Sequence, residues 1–348
     1  MPSLDIQHDV PLAPLTTLEL GGAARFFVRV ADEPSLVEAL LWGRQRGVPV
    51  AILGGGSNTI VPDRGYPGLV VQMALGSLEL QDSGVLRAGA GVPWERVVDL
   101  AVGSDCAGVE CLTGIPGSTG ATPIQNVGAY GQEVSEVIEL VRVVDRETLD
   151  ACELRAADCE FSYRNSRFKR EPGRYVVTEV EFLLRPGGAP TVRYPELERL
   201  VDEQASLQEV RERVLELRRR KSMVLAPDDP NRRSAGSFFL NPVVCASQAE
   251  RIAQRAVDQG LATRLEEVAR FPAGDDRVKL AAAWLIERSG IEKGTRRGAV
   301  GVSSRHTLAL VHHGGGSTDA LLALAEEVQE QVRVRFGVEL EREPRLLA

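Results

Sequence analysis

Residues 114–131 read GIPGSTGATPIQNVGAYG, with glycine at 114, 117, 120, 128 and 131. No ordinary core segment is written this way. Glycine reaches φ > 0 and lets successive N–H groups converge on an anion, while Ser118, Thr119, Thr122, Gln125 and Asn126 can add side-chain hydrogen bonds. The stretch is a candidate pyrophosphate cradle, its backbone running through Gly114, Gly117, Gly120, Ala121, Gly128 and Ala129. A second loop, Gly54-Gly55-Gly56-Ser57-Asn58, follows the apolar run Val48 to Leu53 and reads as a turn leaving a strand. Each loop alone is equally well a tight turn; two of them suggest a dinucleotide. Neither is a standard fingerprint, because no GxGxxG opens a helix after a strand and no GKS or GKT is present. A Rossmann fold and a P-loop enzyme are therefore not expected.

A chain of 348 residues is long enough for two or three domains. Its 49 acidic against 41 basic residues give a net charge of −8, which disfavours binding to nucleic acid or anionic membrane through bulk electrostatics. An anionic ligand must be met locally. The five cysteines include no CxxC and suit reduced cytosolic thiols, and the four histidines are not spaced as ligands, so no metal centre is expected. No apolar run approaches the roughly 20 residues of a spanning helix and the N-terminus lacks an apolar h-region. The expectation is a soluble cytoplasmic protein, and the absence of an assembly stripe suggests a monomer.

Strands are expected at Phe26–Val30 and Val48–Leu53 around a helix over Pro34–Arg46, a small β-α-β unit ending at GGGSN. From Leu69 to Leu184 the pattern is mostly short strands, among them Val85–Ala90, Ile138–Val144 and Tyr175–Leu184, with a helix at Pro93–Val102. A helix over Leu207–Lys221, apolar at Val210, Val214 and Leu217, leads into the Pro/Asp/Arg-rich segment Ala226–Arg233, where a domain boundary is drawn. Beyond it, Ser247 and Glu250 suggest a capping box, Val278–Arg288 and Ser317–Phe336 suggest helices, and Leu308–Val311 a strand. The fold class is α+β, with segments 1–68, 69–220, 221–337 and a C-terminal strand 338–348.

Chemistry could be carried at three places. Ser237, in Ser234-Ala-Gly-Ser-Phe-Phe-Leu-Asn-Pro242, sits in no GxSxG elbow, so its hydroxyl suits a proton donor better than a hydrolase nucleophile; the plain alternative is a serine capping a turn against a Phe-Phe plug. Arg164, among the aromatics of Glu160 to Lys169, could present its planar fork to a carboxylate, or be solvated surface. Val338 to Glu343 alternates like a strand, with Glu339, Glu341 and Glu343 on one face, as an acidic edge or as the source of one site carboxylate.

Taken in order, Thr16-Thr17 with Gly21-Gly22, GGGSN, GSTGATPIQNVGAYG, SYRNS, SAGSFFLNP and the closing LEREPRLL resemble the UDP-N-acetylenolpyruvoylglucosamine reductase (UDP-N-acetylmuramate dehydrogenase) family, in its longer-loop branch, over nearly the whole chain. The resemblance implies a two-subdomain FAD-binding fold of the PCMH/vanillyl-alcohol-oxidase type followed by a smaller substrate-binding domain. It implies noncovalent FAD, NADPH as reductant, and a UDP-sugar whose enolpyruvyl double bond takes hydride from flavin N5 at C3 and a proton at C2. By the same resemblance Ser237 protonates C2, Arg164 stabilises carboxylate-centred charge and Glu343 assists polarisation, with Glu341 as its near alternative. Tyr130, Tyr194, Lys221 and Asn241 are implied to bind substrate, with Arg219 or Arg220 as substitutes for Lys221. Competing readings are an FAD-dependent oxidase of a small alcohol or hydroxy acid, and a nucleotide-sugar-binding protein without catalysis.

Overall fold

The strand that opens the expected β-α-β unit runs over Ala23–Val30 in a computed structural model that describes residues 4–274 and 276–347. The outermost residues of the expected 1–68 and 338–348 segments lie outside that range. The following helix, Glu33–Arg46, has both its signals in place: the Asp32 side chain accepts from the Ser35 N–H, and Gly47 closes it at φ 62°. Val50–Leu53 then returns as a strand. It does not pair with Ala23–Val30. Tyr66–Met73 lies between the two and is parallel to both, with Gln7–Pro11 antiparallel on the outer edge. The unit expected to end at GGGSN thus needs this third strand, and a boundary at 68 falls inside it. The reason is burial: Leu69, Val70 and Val71 are all fully buried, and a run apolar on both faces belongs at the centre of a parallel sheet.

A second sheet of the same compact unit is antiparallel, in the order Ala151–Arg155, Ile138–Asp145, Tyr175–Leu183, Val85–Gly89, Leu78–Leu80. One apolar core serves both sheets, from Val28 and Leu36 through Val97 to Val141 and Val180. The helix Trp94–Gly103 buries Trp94, Val97, Val98, Ala101 and Val102. Its Trp94 indole lies 5.8 Å from the Phe182 ring and donates to the Leu112 carbonyl at 2.9 Å. This fixes the chain just before the glycine-rich stretch. Leu207–Arg220 forms as expected, with an unforeseen capping box between Ser206 and Glu209.

The other compact unit gathers Leu12–Gly22, Ser57–Arg64 and Ala226–Ala348. Its core includes Leu18, Ile60, Phe238, Phe239, Leu285, Leu310 and Val328. Three expectations are corrected here. The Ser247/Glu250 capping box does not form, because the helix Ala246–Asp258 begins earlier, at Cys245, with no side-chain cap. Val278–Arg288 is not one helix: Arg277–Leu280 is a strand between Val243–Cys245 and Arg270–Pro272, and only Ala282–Arg288 is helical. Strand partners on both sides decide that conformation for the β-branched Val278. Val338–Glu343 keeps its alternation, with Val338 and Leu340 buried and Glu339 and Glu341 exposed, but pairs only through an isolated bridge at Arg342. The strand expected at Leu308–Val311 spans Leu310–His312, and Thr318–Phe336 is a helix capped by Ser317 and closed by Gly337. No helix among the described residues is long and apolar enough to cross a membrane.

Glu19 fastens the Leu12–Gly22 loop by pairing with both Arg232 and Arg233. Burial pushes its carboxyl up, but the hydrogen bonds and charges of the two arginines outweigh this and hold it below its ordinary value of 4.5. A carboxylate depressed on folding contributes stability that is full above the unfolded value and vanishes as pH falls through the folded one. Thermal unfolding of Glu19→Gln should therefore fall below wild type by a few degrees at neutral pH, and the gap should close in acid below about pH 4. A gap independent of pH would show that the ion pairs contribute nothing.

Candidate functional site

The two glycine loops meet backbone to backbone. Val50–Leu53 delivers Gly54 and Gly55 against Gly117 and Ser118: a Cβ on Gly55 would lie 2.7 Å from the Gly117 Cα, and one on Gly54 would lie 2.5 Å from the Ser118 hydroxyl oxygen. At Gly55 the atoms met are backbone, so only a residue without a side chain fits there. The longer loop is held from behind, since the Trp94 N–H donates to the Gly117 carbonyl at 3.0 Å and the N–H groups of Thr119 and Gly120 donate to the carbonyls of Val92 and Ala90. Thr119 is wholly buried and its hydroxyl also donates to Val92, at 2.9 Å, so it props the loop.

The loop's entry is gripped by two side chains that the sequence did not single out. Glu95 accepts from the Gly114 N–H and, at 2.7 Å, from the Thr113 hydroxyl. Arg218 donates to the Gly114 carbonyl at 3.1 Å and the Met223 carbonyl at 2.7 Å. Burial holds the Arg218 pKa below its ordinary value.

At the far end of the stretch, the SYRNS turn is stitched to residues 124–128. The Arg164 guanidinium donates to the carbonyls of Asn126, at 3.2 Å, and Gly128, while the Ser166 hydroxyl donates to Ile124 and the Asn126 amide to Ser162 at 3.2 Å. Arg164 itself takes a left-handed backbone, φ 50°, and its guanidinium carbon stands 5.7 Å from the Tyr163 ring centroid. Asn126, at φ 45°, also donates to Glu133 at 2.6 Å. Gln125 lies half-buried between them and Ala121 is exposed.

Beyond Ala129, Tyr130 and Tyr194 pack edge to face with centroids 5.2 Å apart. Lys221 caps the Leu207–Arg220 helix, reaches Glu196 at 2.6 Å and stands 5.8 Å from the Tyr130 centroid. Burial pushes the Tyr130 phenol up to about 12, so it is a neutral hydroxyl at physiological pH. Arg220 pairs with Glu216 on its own helix, and among the described residues no bond ties Arg219 to the tyrosines.

In the other unit, Gly236 at φ 72° turns the chain so that half-buried Ser237 precedes the fully buried Phe238 and Phe239. Residues 238–240 pair with the C-terminal segment: the Glu343 N–H donates to Phe238 at 3.0 Å and the Leu240 N–H to Glu341 at 2.9 Å. This brings Glu343, half-buried, alongside the serine's neighbour, whereas Glu341 is exposed. The Asn58 amide reaches the Glu343 carbonyl at 3.4 Å, and the Arg345 N–H donates to the Asn58 carbonyl at 3.0 Å. Asn241 accepts from the Ala282 N–H at 2.9 Å and so caps a helix through its carbonyl. Among the described residues no cluster of His, Cys, Asp or Glu could hold a metal.

The glycine contact tests the fit of a dinucleotide such as FAD. Gly55 lies against the Gly117 backbone so closely that a Cβ would not fit, and Gly54 lies against the Ser118 hydroxyl, which leaves glycine main chain bare on both loops, as an anion held by main-chain N–H groups requires. The residues suit the group.

The family model described as UDP-N-acetylenolpyruvoylglucosamine reductase, C-terminal domain, matches residues 228–347, and one described as an FAD binding domain matches residues 24–148. The UDP-N-acetylenolpyruvoylglucosamine reductase of Thermobifida fusca is 46% identical over 346 residues, covering 97% of this chain and 96% of that one. Its counterpart from Streptomyces coelicolor is 45% identical over 343 residues, covering 97% and 89%. Among solved structures, the reductase of the same name from Thermus caldophilus superposes with a TM-score of 0.69 over 99% of this chain and 100% of that one, at 24% identity, a likeness of fold.

Placing a methyl at Gly55 forces the two loops apart, since the atoms it meets, 2.7 and 2.8 Å away, are backbone. Overpacking of this kind costs about 1–3 kcal/mol, or roughly tenfold to a hundredfold in affinity. Gly55→Ala should therefore purify with a much lower ratio of 450 nm to 280 nm absorbance. Wild-type flavin content in that variant would refute the cradle.

Proposed function

The chain belongs to the UDP-N-acetylenolpyruvoylglucosamine reductase family, and from that premise we propose that Ser237, Arg164 and Glu343 carry the proton and charge handling of an NADPH-dependent reduction. As a member it is an oxidoreductase of peptidoglycan precursor synthesis with an FAD-binding domain. The finer reading is that NADPH is the reductant, UDP-N-acetylmuramate the product and C2 of the enolpyruvyl group the site of protonation. FAD, when bound, supplies the hydride that C3 receives.

The proposed holders of the cofactor are Gly54, Gly55, Gly56, Ser57 and Asn58 with Gly114, Gly117, Ser118, Thr119, Gly120, Ala121, Gln125, Asn126, Gly128 and Ala129. They divide by task. Backbone at Gly54, Gly55 and Gly117 would meet the pyrophosphate, while Gly114, Thr119 and Asn126 keep the loop in shape through the bonds they already make. The binding is noncovalent in this reading, because the stretch contains no histidine or cysteine to attach a flavin.

Addition of hydride at C3 pushes charge onto C2 and the neighbouring carboxylate, so the residues must stabilise an enolate-like state and then protonate carbon. Ser237 is the proposed proton donor. Its hydroxyl makes no hydrogen bond to another described residue and follows a left-handed glycine, an arrangement that leaves the Oγ–H free to turn toward substrate. Arg164 is proposed to hold the carboxylate-centred charge. Its guanidinium is oriented by bonds to the carbonyls of Asn126 and Gly128, and its planar fork suits a carboxylate. Glu343 is proposed to assist polarisation, supported by the main-chain pairing that seats it beside Phe238. Tyr130, Tyr194 and Lys221 are proposed to bind the sugar nucleotide, as is the amide nitrogen of Asn241. That pairing of 238–240 with 341–343 is the observation that carries the reading.

The test is an anaerobic titration of the yellow protein. NADPH should bleach it, and the enolpyruvyl sugar nucleotide alone should restore the colour; rapid recolouring by oxygen would favour an oxidase, and protein that takes up no FAD a binding module. In Ser237→Ala, bleaching by NADPH should stay within about twofold of wild type, while recolouring by the sugar slows by roughly 10²–10⁴-fold. Equal loss in both halves would sink the serine's role. Arg164→Lys should lose about 1.5–3 kcal/mol of transition-state stabilisation, read as kcat/KM in protein matched for flavin content. Near-normal turnover there would remove Arg164 from the mechanism.

A further inference from the structure

Glu110 and Cys111 stand in one 3₁₀ turn, Glu110–Leu112, and both are wholly buried. A carboxylate taken out of water costs several kcal/mol unless its oxygens are fully bonded. Here no cation does it, since Glu110 makes no ion pair among the described residues. Three N–H donors converge instead. Gly108 donates its backbone N–H to Oε2 at 2.7 Å, and Oε1 accepts both the Thr191 backbone N–H at 2.6 Å and the Gln132 side-chain amide at 3.2 Å.

The same two partners are gripped a second time by Cys111. Its N–H donates to the Gln132 amide oxygen at 2.9 Å, and its thiol donates to the Thr191 carbonyl at 3.0 Å. Both polar atoms of the Gln132 side chain and both backbone polar groups of Thr191 are thereby satisfied by one dipeptide. Neither partner belongs to the same stretch of chain. Gln132 lies on the hairpin Gly128–Ala129 with Gln132–Glu133, whose turn holds Tyr130 at φ 50° and Gly131 at φ 82°. Thr191 lies three residues before Tyr194 on the segment that packs against Leu197, Val210 and Val214.

The clamp therefore fixes, from one oxygen atom, the two chain segments whose tyrosine rings meet 5.2 Å apart. We propose that Glu110, seconded by Cys111, is a positioning residue for sugar-nucleotide binding: it sets the spacing of the Tyr130 hairpin and the Tyr194 segment. This rests on the reading of Tyr130, Tyr194 and Lys221 as substrate-binding residues. Glutamate is required by the chemistry of the acceptor. Glutamine is the same size, but its NH₂ would face an N–H donor wherever it pointed, since each oxygen of Glu110 already accepts from one. The turn could then no longer hold both segments at once.

The experiment uses FAD-loaded protein reduced chemically with dithionite, so that NADPH plays no part, and follows reoxidation against the concentration of the enolpyruvyl sugar nucleotide. In Glu110→Gln the half-saturating concentration should rise by about tenfold or more while the saturating rate stays within about threefold of wild type. In Cys111→Ala, which leaves the carboxylate and removes only the bond to Thr191, the same split should appear at about threefold. Tryptic cleavage after Arg193 should quicken in both. If wild type is not reoxidised by the sugar at all, the substrate reading fails and the proposal with it. If wild type is reoxidised but half-saturation is unchanged in a flavin-retaining variant, the clamp alone is overturned. Should Glu110→Gln fail to fold, Cys111→Ala decides: unchanged half-saturation in it overturns the proposal.

Discussion

The contact of Gly55 on Gly117 sets the terms for everything around it. Two backbones cannot approach this closely with any side chain between them, so the positions are fixed as glycine, and glycine by itself orders nothing. The order must come from outside the loops. It comes from the Val50–Leu53 strand, pinned beside fully buried Leu69 to Val71, and from the helix that begins at Trp94, whose N–H, indole and next side chain, Glu95, all bond to residues 112–117. An entropically costly segment is held by the most rigid elements at hand.

Around this loop the protein uses buried charge as a tie. Arg218 and Glu110 are each at or below a tenth exposed, and each bonds mostly to backbone: Arg218 to the carbonyls of Gly114 and Met223, Glu110 to the N–H groups of Gly108 and Thr191. A hydrogen bond from or to a charged group is about twice as strong as a neutral one. Buried charge that binds main chain gives little net stability. It does fix where irregular chain runs, and the segments between 105 and 135 and between 185 and 206 have almost no regular structure to do so.

What the sequence makes legible follows from the range of each signal. Helix ends are local, so Asp32 and Gly337 stand beside the helices they bound, and the glycine loops are visible as composition. Strand order is not local: nothing near Tyr66 tells it to enter between two earlier strands, and only burial on both faces explains it. Ser247 and Glu250 carry the right letters for a cap, but the helix starts earlier because pairing of Val243–Cys245 fixes the chain before it. Val278 reads as part of a helical face until its strand partners on either side are known. Inside Ala107-Gly-Val-Glu-Cys-Leu112, Glu110 was visible only as a lone acid in an apolar run. Its partners, 22 and 81 positions away in sequence, were not.

In the role proposed for Ser237, a weakly acidic hydroxyl with no base beside it would depend on how its surroundings hold it. Phe238 has both backbone groups engaged, its N–H on Leu308 at 2.7 Å and its carbonyl on the Glu343 N–H at 3.0 Å, and its ring is buried against Phe239. The peptide after the serine is thus immobile, while Gly236 before it takes a conformation that other residues resist. Upstream, the Thr17 hydroxyl donates to the Ser234 carbonyl at 2.6 Å. With the main chain fixed on both sides, only the rotation about the serine's own side chain is left. In the proposed protonation of C2, aligning that one O–H bond with the developing carbanion would then lose little entropy at the moment of reaction.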